Sequence, residues 1–501
     1  MRRFFLRIFC IRKISKKEGV SPIIRGMTEM AENKQPKTIF GTTEKSNFIL
    51  NMKQETLQTW IAALLAAVVA VPQITGFLVY GLKASQPLLA AGVYFTGFAC
   101  ILFFIIAMIK HIADFKEDKI LWLVVFMAVW AVASYYGVVL RAESDAGSQS
   151  AELINTALSG ELGRYEGLLS LLAYLGIFCL ALCVRRIKTV RMTADIIICA
   201  GVVQSLFAIF QHIPGLDFMP NFADLPTLAL RDVMLSSGLS ENPIVFGSFL
   251  TITFSAAFVL SVYEKNILRA RLYGAAAMLF WLVGFFTSSI VPIIGMCSAF
   301  VLVTVLIFAG KKVKFESGLL KSSVYRYAAA AVGMAVIFVI VWFAQGIYIR
   351  DKAIAYYDSY FRLFITIAYS VVDERSLYSI GFEKSFALLK EHPILGVGPD
   401  LMAKYQIKDP DLQLCSIDKS YCEPVYIAVT RGIPALLGYI VFLAASVKKS
   451  ISGILSGDPA RIAVFAAIGS YIVQSFFSFS SVLCAPIFWM LCGIAFAKIK
   501  E

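Results

Sequence analysis

Charge is scarce in this chain. Asp, Glu, Lys and Arg make up 16% of its 501 residues, where a soluble domain carries about 25%. Histidine occurs three times. Ten cysteines are present without metal-ligand spacing, and Cys179 and Cys183 share one face of an apolar stretch, where packing accounts for them better than ligation. No phosphate-cradling glycine loop, dinucleotide fingerprint, nucleophile elbow or zinc motif is visible. Nor does a repeat of about 20–50 residues or a cleavable signal architecture appear. Nothing therefore points to a nucleotide-dependent soluble enzyme, a zinc hydrolase or a solenoid, and neither metal nor cofactor is expected.

Apolar residues fill the space. They form 59% of the chain, and the mean hydropathy is +0.75. Runs of about 20 apolar residues bounded by charges recur, each able to cross a roughly 30 Å hydrocarbon core as a helix. A β-barrel would show short alternating segments instead. The expected fold is all-α, a polytopic membrane helix bundle with about twelve spans. Hydropathy places them at 60–81, 88–109, 120–140, 167–184, 193–213, 244–263, 271–289, 291–309, 327–349, 426–447, 462–481 and 483–498.

The formal charge of +13 does not indicate nucleic acid, because of where it lies. Much of it sits in Arg2, Arg3, Arg7, Arg12, Lys13, Lys16 and Lys17 and in alternate connectors such as Arg185/Arg186/Lys188 and Lys311/Lys312/Lys314. That is the positive-inside pattern of membrane insertion. It predicts a cytoplasmic-membrane protein with both termini in the cytoplasm. The organisation follows: a basic tail over 1–53, expected to be disordered or an inner-leaflet anchor, spans over 54–349, a large extracytoplasmic loop over 350–425, and the last spans over 426–501. Segments 141–166 and 214–243 share the outer side.

The large loop carries the most distinctive residues. Ala353 to Val372 resembles an interfacial helix, and Ser379 to Lys390 has helical apolar spacing, ended by Pro393. Glu391-His392-Pro393-Ile394-Leu395-Gly396-Val397-Gly398-Pro399-Asp400 follows, then Asp418-Lys419-Ser420-Tyr421-Cys422-Glu423 and Arg431-Gly432-Ile433-Pro434. Arg431 falls about five residues inside a span, where an unpaired guanidinium costs up to about 2.5–3.5 kcal/mol. It should face hydrated space, pair with an acid such as Glu423, or snorkel to the interface. Arg231 in an outer loop and Arg164 at a span opening could bind a diphosphate, or be a solvated residue and an interfacial anchor respectively. His392 could act as a general base or mark a helix end. Cys415 and Cys422 share the loop, where an oxidising compartment would allow a disulfide.

These motifs resemble the O-antigen ligase and O-antigen polymerase superfamily over roughly 150–498. The resemblance rests on Gly163-Arg164, Gly238-Leu239-Ser240-Glu241-Asn242-Pro243, Thr287-Ser288-Ser289, the His392–Asp400 stretch and Arg431-Gly432-Ile433-Pro434. It implies a helical bundle capped by the large loop and transfer of a polyprenyl-diphosphate-linked glycan to an acceptor hydroxyl on a glycan or lipid. It also implies that arginines hold the diphosphate while a histidine draws the acceptor proton. In this chain Tyr421 stands at the position resembling that histidine, Cys422 follows where the family has asparagine, Ile290 replaces an arginine, and Leu235 another. Arg164, Arg231 and Arg431 are then the diphosphate candidates, and Glu423, His392 and Tyr421 the catalytic ones. A relative that binds lipid-linked glycan or scaffolds partners without transfer, and a lipid-linked oligosaccharide flippase, are the alternatives.

Overall fold

The computed structural model describes residues 52–144, 150–212, 236–240, 242–287, 289–308, 317–352, 377–405 and 419–499. The chain divides into a unit ending at Met52 and a unit from Lys53 to Glu501. The fold below is that of the second.

Among the described residues every regular element is a helix, with no strand. The order is α1 Gln54–Gly76, α2 Pro87–Ile109, α3 Ile120–Ser144, α4 Ser150–Ser159, α5 Leu168–Leu182, α6 Ile187–His212, α7 Pro243–Tyr263 and α8 Ile267–Phe286. Then follow α9 Ile290–Phe308, α10 Ser317–Lys352, α11 Leu377–Glu391, α12 Glu423–Arg431, α13 Ile433–Ile454, α14 Pro459–Ser475 and α15 Ala485–Phe496. A π-helical turn over Phe77–Gly81 extends α1. Nine of these helices among the described residues are long and apolar enough to cross a membrane: α1 with its extension, α2, α3, α6 to α10, and α13. The apolar helices α5 and α15 are shorter, and α14 has 17 residues. Helix is the required form, because lipid offers no partner for backbone N–H and C=O groups. Outward-facing side chains such as Phe95, Trp122 and Phe308 remain exposed, as lipid contact permits.

α7 forms the core, with 94% of its apolar window buried. Lipid tails are as apolar as leucine, so helices associate here through close packing of small residues. A Cβ on Gly295 of α9 would stand 2.1 Å from Thr251 Oγ1 of α7, and one on Gly97 of α2 would stand 2.3 Å from Ala173 Cβ of α5. Either substitution would push two helices apart.

Contacts sort the connectors into two ends. At one end Lys498 bridges Glu117 at 2.7 Å and Asp118 at 3.0 Å, and Arg191 approaches Glu264 at 3.9 Å and Asp458 at 3.8 Å. The basic connectors 110–119, 183–186 and 264–266 thus gather with the last residues described. At the opposite end the 160–167 loop meets the 392–401 loop and α12.

Helix bounds differ from the hydropathy segments at one important place. The expected span 426–447 is instead two helices, with α13 starting at Ile433. Gly432 breaks the run with φ +84°, a backbone state that hydropathy averaging does not register. The expected interfacial helix of 353–372 lies outside the described residues.

Candidate functional site

The site grows from a backbone junction. Pro393 prevents α11 from continuing, and Gly396 N–H closes the end on His392 O at 3.1 Å. The returning loop then pairs with the end of α12. Val397 N–H donates to Val429 O at 2.9 Å, Gly398 N–H to Thr430 O at 3.0 Å, and Ile433 N–H to Pro393 O at 2.9 Å. Glycine is obligatory at this crossing. A Cβ on Gly432 would stand 1.7 Å from Ile394 O, and one on Gly396 2.4 Å from Thr430 C. α3 clasps the junction from the side: Trp130 Nε1 donates to Arg431 O at 2.9 Å, Ser134 Oγ to Leu395 O at 2.6 Å, and Arg141 Nη2 to Val397 O at 2.9 Å.

A second lock joins this junction to the start of α5. Arg164 and Asp400 form a buried ion pair, and Tyr426 OH donates to Asp400 Oδ1 at 2.5 Å. Asp400 Oδ2 accepts from the backbone N–H of Glu161 at 2.7 Å and of Glu166 at 3.0 Å. Tyr165, Asp400 and Tyr421 all adopt positive φ, at 54°, 57° and 52°. Left-handed backbone on non-glycine residues costs about 1–3 kcal/mol each and concentrates at sites that must be held in shape.

Below the junction lies a cavity of about 30 Å³, bordered by Trp130, Glu166, Tyr174, Glu423, Arg431 and Tyr439. Arg431 Nη2 donates to Glu166 O at 3.2 Å, while its buried Nε has no hydrogen-bond partner among the described residues. Glu423 accepts from Tyr439 OH at 2.7 Å and Tyr471 OH at 3.1 Å, and Glu166 from Tyr174 OH at 2.7 Å. Both carboxyls lie outside the long spans. Burial pushes Glu166 up to about 7, more than its tyrosine and Arg431 draw it down. Burial likewise raises Glu423 against Tyr439, Tyr471 and Arg431. One guanidinium thus shares a small buried space with two acids whose pKa values burial raises. The arrangement can anchor an anion at Arg431 and exchange a proton near neutral pH. As it stands the space admits water only, since one water needs about 10–15 Å³, so a larger guest requires the junction to part.

Of the residues singled out from sequence, Arg431 and Glu423 border this cavity together. No ion pair within 4.0 Å joins them among the described residues, and Arg431 bonds to the Glu166 carbonyl instead. Arg164 is engaged by Asp400 and by Tyr426, over whose ring its guanidinium carbon sits 4.6 Å from the centroid. His392 lies outside the cavity lining, its Nδ1 3.2 Å from Arg141 Nη1. Burial, then the Arg141 charge, lower its pKa. Tyr421 is also outside the lining, its ring 6.2 Å from that of Phe479. Arg231 and Cys415 lie outside the described residues, and Cys422 is a buried free thiol. Among the described residues no group of three or more metal-ligating side chains occurs.

Glu166 and Asp400 went unassigned in the sequence. Glu166 carried a legible signal: it follows Gly163-Arg164-Tyr165 and directly precedes an apolar helix, where a carboxyl must be buried or capped. Asp400 carried none beyond its place in the motif, because its partner is 236 residues away.

The described residues of the remaining motif segments meet at the start of α7 and the end of α8. Ser236 N–H donates to Phe286 O at 3.0 Å, next to Thr287, and Asn242 caps α7 by accepting from Ile244 N–H at 2.8 Å. α14 links the two regions, with Tyr471 on Glu423 and Gln474 Oε1 accepting from Ser248 Oγ at 3.0 Å. No family model and no curated protein matches this chain.

Proposed function

We propose that this chain is a cytoplasmic-membrane protein of surface-glycan assembly, of the O-antigen ligase and polymerase type. It has about twelve spans, both termini in the cytoplasm and the 350–425 loop outside. It moves a polyprenyl-diphosphate-linked glycan onto an acceptor hydroxyl of a glycan or lipid. The observation that supports this most is the meeting of three motifs far apart in sequence, Gly163-Arg164, His392–Asp400 and Arg431-Gly432, around one buried arginine with two acids. The gathering of basic connectors at the opposite end supports the orientation.

The division of labour follows from the chemistry. Arg431 receives the diphosphate oxygens, with Arg231 as a second candidate cation, and stabilises the charge that develops as the diphosphate leaves. The acceptor oxygen attacks the sugar's anomeric carbon while the sugar–diphosphate bond breaks. The acceptor proton passes to a carboxylate, Glu166 or Glu423. Glu166, lifted by burial to about 7, suits that task, whereas a phenol such as that of Tyr421, with an ordinary pKa of about 10, does not. Arg164 and His392 act by positioning: one locks Asp400, the other abuts Arg141 against the returning loop.

A second reading is a relative that binds the lipid-linked glycan without transferring it. Tyr421 in place of a basic group and the water-sized cavity favour it. Transfer from a polyprenyl-diphosphate glycan in proteoliposomes decides. Arg431→Ala should reduce the rate by about 10²–10³ with the protein still in the membrane. Wild-type turnover in that variant would refute the assignment, and saturable donor binding without turnover in the wild type would favour the second reading.

A further inference from the structure

The larger opening is at the other end of the molecule. A cavity of about 220 Å³ lies between the last turns of α13, the first turn of α14 and the residues after α15. On the measure by which one water needs about 10–15 Å³, that leaves room for a group much larger than water. Lys449, Ser450, Ser452, Arg461, Ile494 and Lys498 are among the residues that border it.

Among the described residues, three cations and no carboxylate appear on that lining. Arg461 Nη2 donates to Ile499 O at 3.2 Å, while its buried Nε has no hydrogen-bond partner among the described residues. Lys498 is partly neutralised by Glu117 and Asp118. Lys449 is solvent-exposed and has no acid within 4.0 Å among the described residues. Other donors are already committed. Ser450 Oγ donates to Ser446 O at 2.8 Å and Ser452 Oγ to Lys449 O at 2.6 Å. The first N–H groups of α14 go to Asp458, with Ala460 N–H at 2.9 Å and Arg461 N–H at 3.2 Å. Recognition here therefore rests on the guanidinium and the two ammonium groups.

A buried guanidinium edge beside two ammonium groups, in a space at the end of α13, the start of α14 and the end of α15, fits one chemistry: a phosphate bearing at least one negative charge. We propose that this pocket binds a phosphate group, contributed by an anionic phospholipid headgroup of the adjoining leaflet or by a soluble phosphate. It is separate from the cavity bordered by Arg431, and its occupancy does not depend on the glycan reading.

The test uses the full chain in nanodiscs or detergent, with thermal shift and lipid retention measured against phosphatidylglycerol, phosphatidylcholine and inorganic phosphate. Stabilisation by phosphatidylglycerol alone supports the site and assigns it to lipid; the same gain from inorganic phosphate supports it and assigns it to a soluble ligand. Lys449→Gln, at an exposed position that should not disturb folding, and Arg461→Gln should each weaken that binding about tenfold, which is about 1.4 kcal/mol. Equal stabilisation by phosphatidylcholine, no response to any probe, or full binding by a folded Lys449→Gln/Arg461→Gln chain would overturn it.

Discussion

Replacing Asp400 by asparagine isolates the lock between the returning loop and the start of α5. Asn tolerates positive φ as Asp does, so the φ of 57° at this position adds no new backbone strain. What changes is charge and acceptor number. Asp400 takes Arg164 and Tyr426 on one oxygen and the N–H groups of Glu161 and Glu166 on the other. Asparagine offers a single oxygen, so two of those donors would face an NH₂ group. Arg164 would also lose this carboxylate while staying buried, as its side chain is only 7% exposed and that of Asp400 0%. Removing one partner of a buried pair costs about 3–5 kcal/mol, enough to raise local opening by a factor of about 10² or more. Amide hydrogen exchange reads this directly. In Asp400→Asn the amides of Val397, Gly398 and Ile433 should exchange at least about 10²-fold faster, while amides within α7 stay unchanged. In Arg164→Gln/Asp400→Asn the loss should fall short of the sum of the single changes by about 1–3 kcal/mol. Unchanged protection at the three junction amides would refute the claim that this ion pair holds the loop down.

Two more outcomes follow from the same geometry. Gly432→Ala forces a methyl onto the Ile394 carbonyl, 1.7 Å away, at φ +84°, so the junction should fail to form and folded protein should be lost from membranes, with fluorescence-detected size exclusion as the readout. Burial lifts Glu166 from 4.5 to about 7, so the folded chain retains a proton there that the unfolded chain has released between those values. Stability should therefore fall by up to about 3 kcal/mol as pH rises from about 4.5 to about 7 and level off above. Glu166→Gln should remove that part of the slope, leaving whatever Glu423 contributes, and identical pH curves for variant and wild type would count against the shift. If Glu166 is also the base, the transfer rate should rise through pH about 7 in the wild type and lose that limb in the variant.

The helices were plain in the sequence because lipid solvent makes their signal strong. Each hydropathy segment overlaps a helix, nine helices among the described residues being long and apolar enough to cross a membrane, and α11 ends one residue before His392, as Pro393 requires. Their bounds were less plain. Gly432 interrupts a continuous apolar run, so Arg431 ends a short helix outside α13 instead of lying several residues within a span. The candidate site was legible in parts. Arg431 and Glu423 stood out because charge beside an apolar stretch needs a reason, and both border the cavity. The partners were not legible, because Arg164 with Asp400 and Arg431 with Glu166 join residues more than 230 positions apart. Periodicity and local spacing carry no information about such pairings. His392 shows the converse. Sequence left it open as a base or a helix end; the helix does end there, at Glu391, and the ring meets Arg141 of α3.

The most direct test is an experimental structure of the full chain with a polyprenyl-diphosphate glycan bound. The account predicts the junction parted, and diphosphate oxygens within about 3 Å of the Arg431 guanidinium, with an acceptor path leading to Glu166 or Glu423. Diphosphate density away from Arg431, or an unaltered cavity at saturating donor, would contradict it.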